Sequence, residues 1–308
     1  MSARISKSFL LAAVLGAPLA FAGGVALSAE ELPAGTVRAL QAQLGAARIN
    51  APGPYDAVRE LVQSANTLDA KKRGPLAPMG RAFKQVGPGA LYPMLEVLAL
   101  DQGTAQLTPL AAKAVTIGIL EALGDLRSPE AEPVLLAVLS SPRQNPDVLR
   151  TAADAYGMRQ TDAAAAELVR RSQAGGDAAK AIRAGMGSCR RTVVAAELAA
   201  RALEPAEVRE RIAVVRALGE VGNAWAWKTP GVTARTEEAE VRATAARALV
   251  RVFATESGEV RAAASDALMV VDAPQTPDLI AQARSAASGE TAAALDGLAR
   301  RFEKNPTR

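Results

Sequence analysis

One pattern constrains this chain more than any other. Apolar residues return at about 3.6-residue spacing, and each such run stops and restarts at a nearly constant interval. From Val241, offsets of 4, 7, 8 and 11 reach Ala245, Ala248, Leu249 and Val252; from Val260 they reach Ala264, Ala267, Leu268 and Val271. A stripe of that period is one buried face of an amphipathic helix. No comparable alternating run is present, so the fold class expected is all-α. Aromatic residues make up only 3% of the chain, while Ala, Leu and Val dominate, which suits closely packed helices better than a β-sandwich.

The helices come in pairs. "MGRAFKQVGPGALYPMLEVLAL" reads as a helix stopping at Gly87, a turn carrying Pro88, and a second helix to Leu100. "AVTIGILEALGDLRSPEAEPVLLAVLSS" repeats the plan around Gly124 and Ser128-Pro129-Glu130, and "NPDVLRTAADAYGMRQTDAAAAELVRR" repeats it around Gly157 and Thr161-Asp162. Gly87 to Gly124 is 37 residues, Gly124 to Gly157 is 33, and Gly157 to Gly219 is 62, or close to two periods. "DAAKAIRAGMGSCRRTVVAAELAARAL" fills the long interval as a degenerate copy. Each glycine is expected to supply a left-handed helix C-cap, and Ser, Thr or Asp followed by Pro or Glu to start the next helix. A period in the thirties with two helices per unit is the signature of an α-solenoid.

"PDVLRTAADAYG", "VTIGILEALGDLRSPEAEPVLLAVL" and "EVRAAASDALMVV" resemble HEAT repeats, and most of all the short HEAT-like form also found in phycobilisome lyase proteins. The resemblance covers roughly residues 76–287. It implies a right-handed α-α superhelix of HEAT-like hairpins with one helical layer lining a concave surface, and a scaffold or adaptor rather than a catalyst. The tripeptide Glu-Val-Arg at Glu207, Glu240 and Glu259 then marks helix starts, with Glu in the first turn and Val opening the core stripe. By the same resemblance, Arg150, Arg209, Arg242 and Arg261 form a ladder toward neighbouring units. Two places depart from the pattern. Residues 225–235 form an insertion where a second helix should begin, and Val241 and Val260 are only 19 residues apart, so the register between 219 and 260 stays open and an extra helix is one solution.

The expected organisation is a leader over 1–22, a helical cap over 23–73, the solenoid over 74–287, and a closing helix with a polar tail over 288–308. Arg4 and Lys7 precede an uncharged run from Ser8 to Ala29, and Ala20 and Ala22 supply the small residues of a signal-peptidase site. Export to the periplasm or beyond follows, with a retained membrane anchor as the alternative. Removing residues 1–22 lowers the formal charge from +4 to +2, and no Lys/Arg block remains to track phosphates, so nucleic acid is not an expected partner.

Chemistry is constrained by what the composition lacks. There is no His, the commonest general base and metal ligand, and there is a single Cys. No catalytic residue, cofactor or metal site is therefore expected. The alternative is an enzyme or lyase on the same frame, working through carboxylates, Arg or Cys189, whose neighbours Arg190 and Arg191 would favour a thiolate unless the thiol is buried. Glu237, Glu238 and Glu240 suit a helix start, and the doublets at Arg170, Arg190 and Arg300 suit helix ends or solvated faces. The remaining lead is "NAWAWKT", which holds both tryptophans. Trp225, Trp227 and Lys228 are candidates for contact with a protein partner; equally, the rings fill a gap left by the missing helix.

Overall fold

The computed structural model describes residues 31–100 and 103–305, together with Leu27. The expected leader over 1–22, with Ala20 and Ala22, and the end of the polar tail lie outside the described residues. Every regular element among the described residues is helical. In chain order these are α1 (Ala34–Asn50), α2 (Pro52–Lys71), α3 (Gly80–Val86), α4 (Leu91–Leu100), α5 (Pro109–Leu126), α6 (Glu132–Ser140), α7 (Pro146–Gly157) and α8 (Asp162–Ser172). There follow α9 (Gly176–Gly185), α10 (Thr192–Leu203), α11 (Val208–Val221), α12 (Ala224–Trp227), α13 (Glu238–Thr255), α14 (Gly258–Val271), α15 (Thr276–Ser285) and α16 (Gly289–Glu303).

The helices stack in two layers. In the first, α3, α5, α7, α9, α11, α14 and α16 each pack on the next; in the second, α8, α10, α13 and α15 do the same, with α4 against α6. Helices α1 and α2 cover the leading end, α2 against α3, α4 and α5 and α1 against α4. Between the layers lies one continuous core of Leu, Val, Ala and a few large side chains, among them Phe83, Leu123, Leu168, Leu249 and Leu268. Each such leucine contributes roughly 1.5–3 kcal/mol of burial.

The layer contacts fix the register left open by the sequence. Helix α13 packs on α10 and α15, so it is the second helix of the pair begun by α11, delayed by the insertion. Glu-Val-Arg therefore occurs in both layers, in α13 as well as in α11 and α14. Val241 and Val260 are buried as the stripe requires, but Val208 is 53% exposed. In α11 the buried set is Val214, Val215, Ala217, Leu218, Gly219 and Val221, and the tripeptide sits at the helix edge outside that register, with Glu207 as the N-cap.

Helix starts follow local side-chain chemistry. Thr108, Asn145 and Thr161 each accept a hydrogen bond from a backbone N–H of the first turn (Ala111, Asp147 and Ala164), and Pro109 and Pro146 occupy the first helical position of their helices. The stops are not where the glycines suggested. Only Gly87 caps its helix at the expected place, and with φ 82° and ψ −166° it takes a positive-φ extended conformation rather than the left-handed helical one. The left-handed residues after α5 and α14 are Arg127 and Asp272, and Gln160 takes that conformation in the turn after α7.

Gly124, Gly157 and Gly219 are helical, and their use is close approach, for Gly124 and Gly219 to the next first-layer helix and for Gly157 to the turn after α9. A Cβ on Gly124 would lie 2.9 Å from the Cα of Ala155, one on Gly157 3.0 Å from the Cβ of Cys189, and one on Gly219 2.8 Å from the Cβ of Ala267. At Gly185 it would lie 2.1 Å from the carbonyl oxygen of Arg150, a backbone atom that cannot step aside. We expect Gly185→Ala to push α9 off α7 and destabilise the fold by about 1–3 kcal/mol. Gly45→Ala, on the exposed face of α1 with open space around it, is expected to do the opposite by up to about 1 kcal/mol. Urea denaturation of both variants checks the pair; equal shifts would refute the close-approach role.

Candidate functional site

The insertion between α11 and α13 is a built structure. The Asn223 side chain accepts from the N–H groups of Trp225 and Ala226 at 3.0 and 3.2 Å and so starts the single turn α12. Trp227 is fully buried and its indole N–H donates to the Val221 carbonyl at 3.1 Å. Val232 is buried beyond it. Arg235 donates to the carbonyls of Trp227 and Thr229 at 3.1 and 2.8 Å and closes the loop on itself.

The same segment lies across the turns of three preceding helix pairs. The Gly231 carbonyl accepts from Arg127, in the turn after α5, and from the Gln160 amide at 3.4 Å, in the turn after α7. The Thr233 N–H returns a bond to the Gln160 side chain at 3.3 Å. The Glu237 carboxylate accepts from Arg191 at 2.7 Å and from the Thr192 N–H at 2.6 Å, at the start of α10. A Cβ on Gly231 would run into the Arg127 guanidinium, so glycine is what lets that cation close on the carbonyl. Arg127 and Gln160 were not singled out by sequence reasoning; a left-handed residue other than glycine leaves little trace in sequence.

The strap separates the two tryptophans. Residues two apart on a helical turn point different ways, and Trp225 emerges 58% exposed while Trp227 is in the core. The Lys228 ammonium lies 4.9 Å from the centre of the Trp225 ring, in a cation–π contact. Of the candidate set, the structure thus joins Trp225 and Lys228 at the surface and gives Trp227 to packing.

A polar chain leads from first-layer helices to the strap. Ser188 donates to the Asp154 carboxylate at 2.5 Å, Arg190 reaches the Ser188 carbonyl at 3.3 Å and pairs with Glu220 at 2.7 Å, and Asn223 donates to Glu220 at 3.1 Å. Burial pushes the Asp154 carboxyl above the ordinary carboxylate value despite the Ser188 bond, and burial raises Glu121 on the neighbouring helix as well. Cys189 lies in the core beside this chain, and burial pushes its thiol up to about 12 against the opposing influence of Arg191 and Arg190. The thiol is protonated at neutral pH and lacks the thiolate that nucleophilic attack or ligation requires.

The remaining sequence candidates disperse. Glu238 pairs with Arg242 within α13 at 2.7 Å, and Glu240 is exposed. Arg242 also donates to the carbonyls of Val271 and Asp272, and Arg261 to those of Phe253 and Glu256 with a longer contact to Glu290 at 3.4 Å. Arg150 is exposed, acting through space on Glu121 and Asp154; Arg209 is exposed at the start of α11. Of the four ladder arginines, Arg261 alone thus reaches a carboxylate on the next first-layer helix; other bridges between successive first-layer helices include Lys84–Asp125, Lys113–Asp147, Arg183–Glu210 and Arg301–Asp266. Among the described residues no group of three or more His, Cys, Asp and Glu is placed to hold a metal ion, and no helix is long and apolar enough to cross a membrane.

Among the clefts that the described residues form, two are well defined. One, of about 290 Å³, lies under the α10–α11 turn, where Arg183, Arg201 and Arg211 face Glu204, Glu207 and Glu210. The larger, of about 460 Å³, lies between the second-layer helices α8 and α10, with Ala165, Ala166, Val169 and Val193 as its apolar lining and Arg170, Arg191 and Glu237 around it. Val193 is 52% exposed there. Comparison of the sequence with known proteins finds no matching family model and no similar curated protein.

The two tryptophans make opposite predictions. Trp227→Ala removes a fully buried ring and is expected to cost about 3–5 kcal/mol in urea denaturation. Trp225→Ala is expected to change stability by no more than about 0.5 kcal/mol and to abolish most acrylamide quenching of the intrinsic fluorescence.

Proposed function

We propose that this protein is an exported, non-catalytic scaffold of the HEAT-like α-solenoid kind, which binds a protein partner on a concave face lined by its second-layer helices. The observation that carries this reading is the open, apolar cleft between α8 and α10 on that layer. Its alanines keep the helix surfaces low, so a partner's side chains gain burial without displacing a core residue, and the polar residues around it provide orientation. Stacked helix pairs present such surfaces as extended platforms. The buried, protonated Cys189 and the ion-paired or scattered acids support a binding role over nucleophilic or carboxylate chemistry.

Crosslinking and affinity capture from the periplasmic fraction test the reading. Ala166→Arg and Val193→Glu, which fill or charge the cleft, are expected to lower recovery of a defined partner about tenfold relative to wild type. Undiminished recovery would move binding off this face. Intact mass of the protein from cells tests export: loss of residues 1–22 is expected, and a full-length mass would favour a tethered scaffold.

A further inference from the structure

We infer that the strap is a second docking point, and that what docks there is an acidic protein segment carrying an apolar side chain. This rests on the reading of the protein as a protein-binding scaffold and gives part of the partner its chemistry.

The first argument is charge. Residues 222–237 contain two cations, Lys228 and Arg235, against one acid, Glu237, which Arg191 and the Thr192 N–H engage. Lys228 stacks on Trp225, Arg235 bonds two carbonyls of its own loop, and Arg127 beneath bonds the Gly231 carbonyl. None of the contacts of these three cations is with a carboxylate. The acids that border the strap are engaged: Glu220 by Arg190 and Asn223, Glu237 by Arg191 and Thr192, and Glu238 by Arg242. The strap therefore presents positive charge that the fold leaves uncompensated by contact, and the complementary surface is anionic.

The second argument is the exposed ring and its mounting. Trp225 leaves 58% of its surface to solvent, on a turn whose backbone is fixed by Asn223 at one end and by Arg127, Gln160 and Arg235 at the other. An aromatic held rigid in the free protein loses little conformational freedom on binding, which is what makes such residues dominant anchors. With Trp227 and Val232 buried, Trp225 is the one large apolar side chain that the insertion exposes. One ring with cations around it matches a single peptide segment. A lipid surface is held by a broad apolar face with several inserted side chains.

Selection of randomised displayed peptides on the full-length protein, with the recovered peptides then measured in solution, tests the inference. The expected result is enrichment of peptides with several Asp or Glu and one apolar residue. Their affinity should fall about tenfold in Trp225→Ala and in Lys228→Glu, and fall with added salt. Recovery of no peptide, or of basic or neutral ones, overturns it. Acidic peptides that bind Trp225→Ala as well as wild type overturn the strap as their site; if Ala166→Arg removes that binding, the scaffold reading stands without it. Sedimentation with phosphatidylglycerol vesicles that is lost in Trp225→Ala overturns it in favour of lipid.

Discussion

Close approach of backbones in the first layer is the constraint on which the other features depend. Where Gly124 meets Ala155, Gly185 meets the Arg150 carbonyl and Gly219 meets Ala267, the spacing between neighbouring helices is set by the absence of a side chain, and Gly157 admits the turn at Cys189 in the same way. At that separation dispersion contacts run along the helices, and few large side chains are needed to fill the core. The composition follows: alanine, valine and leucine make up most of the core, and the large rings of Tyr55 and Tyr156 are taken into the regular helices α2 and α7. The buried ring of Trp227 sits at an irregular place, within the insertion that delays α13.

Much of this was legible in the sequence because it is local. Helix period, the helix start at Thr161 and the pairing of helices depend on residues a few positions apart. The glycines misled for a definite reason. A glycine near the end of an apolar run reads as a C-cap, and nothing in its neighbours distinguishes that role from close packing against a helix about 30 residues away. The turns are capped instead by Arg127, a type with no left-handed signature, and by Asp272, a type that tolerates that region but is common at helix starts and on surfaces as well.

The candidate site was legible as a place and not as an arrangement. "NAWAWKT" broke the helical pattern, which drew attention to Trp225 and Trp227, but whether they share a side depends on backbone conformation. The single turn begun by Asn223 divides them. The contacts that give the segment its shape, Arg127 to Gly231 and Gln160 to Thr233, join residues 104 and 73 positions apart. No periodicity or motif encodes such a pairing, because each partner is an ordinary residue until the stack brings them to one edge.

That strap alters how the stack holds together. A row of helix pairs in which each touches only its neighbours behaves as a one-dimensional chain: it frays from its ends and opens piecewise. By bonding the turn after α7 and the turn after α5 to the loop that precedes α13, the strap bypasses the intervening nearest-neighbour interfaces. The pairs it spans are linked as a block, so local opening between α5 and α13 must break contacts at both ends of the span. The strap thereby opposes piecewise opening in the middle of the stack, a restraint that the pairs outside its span do not share.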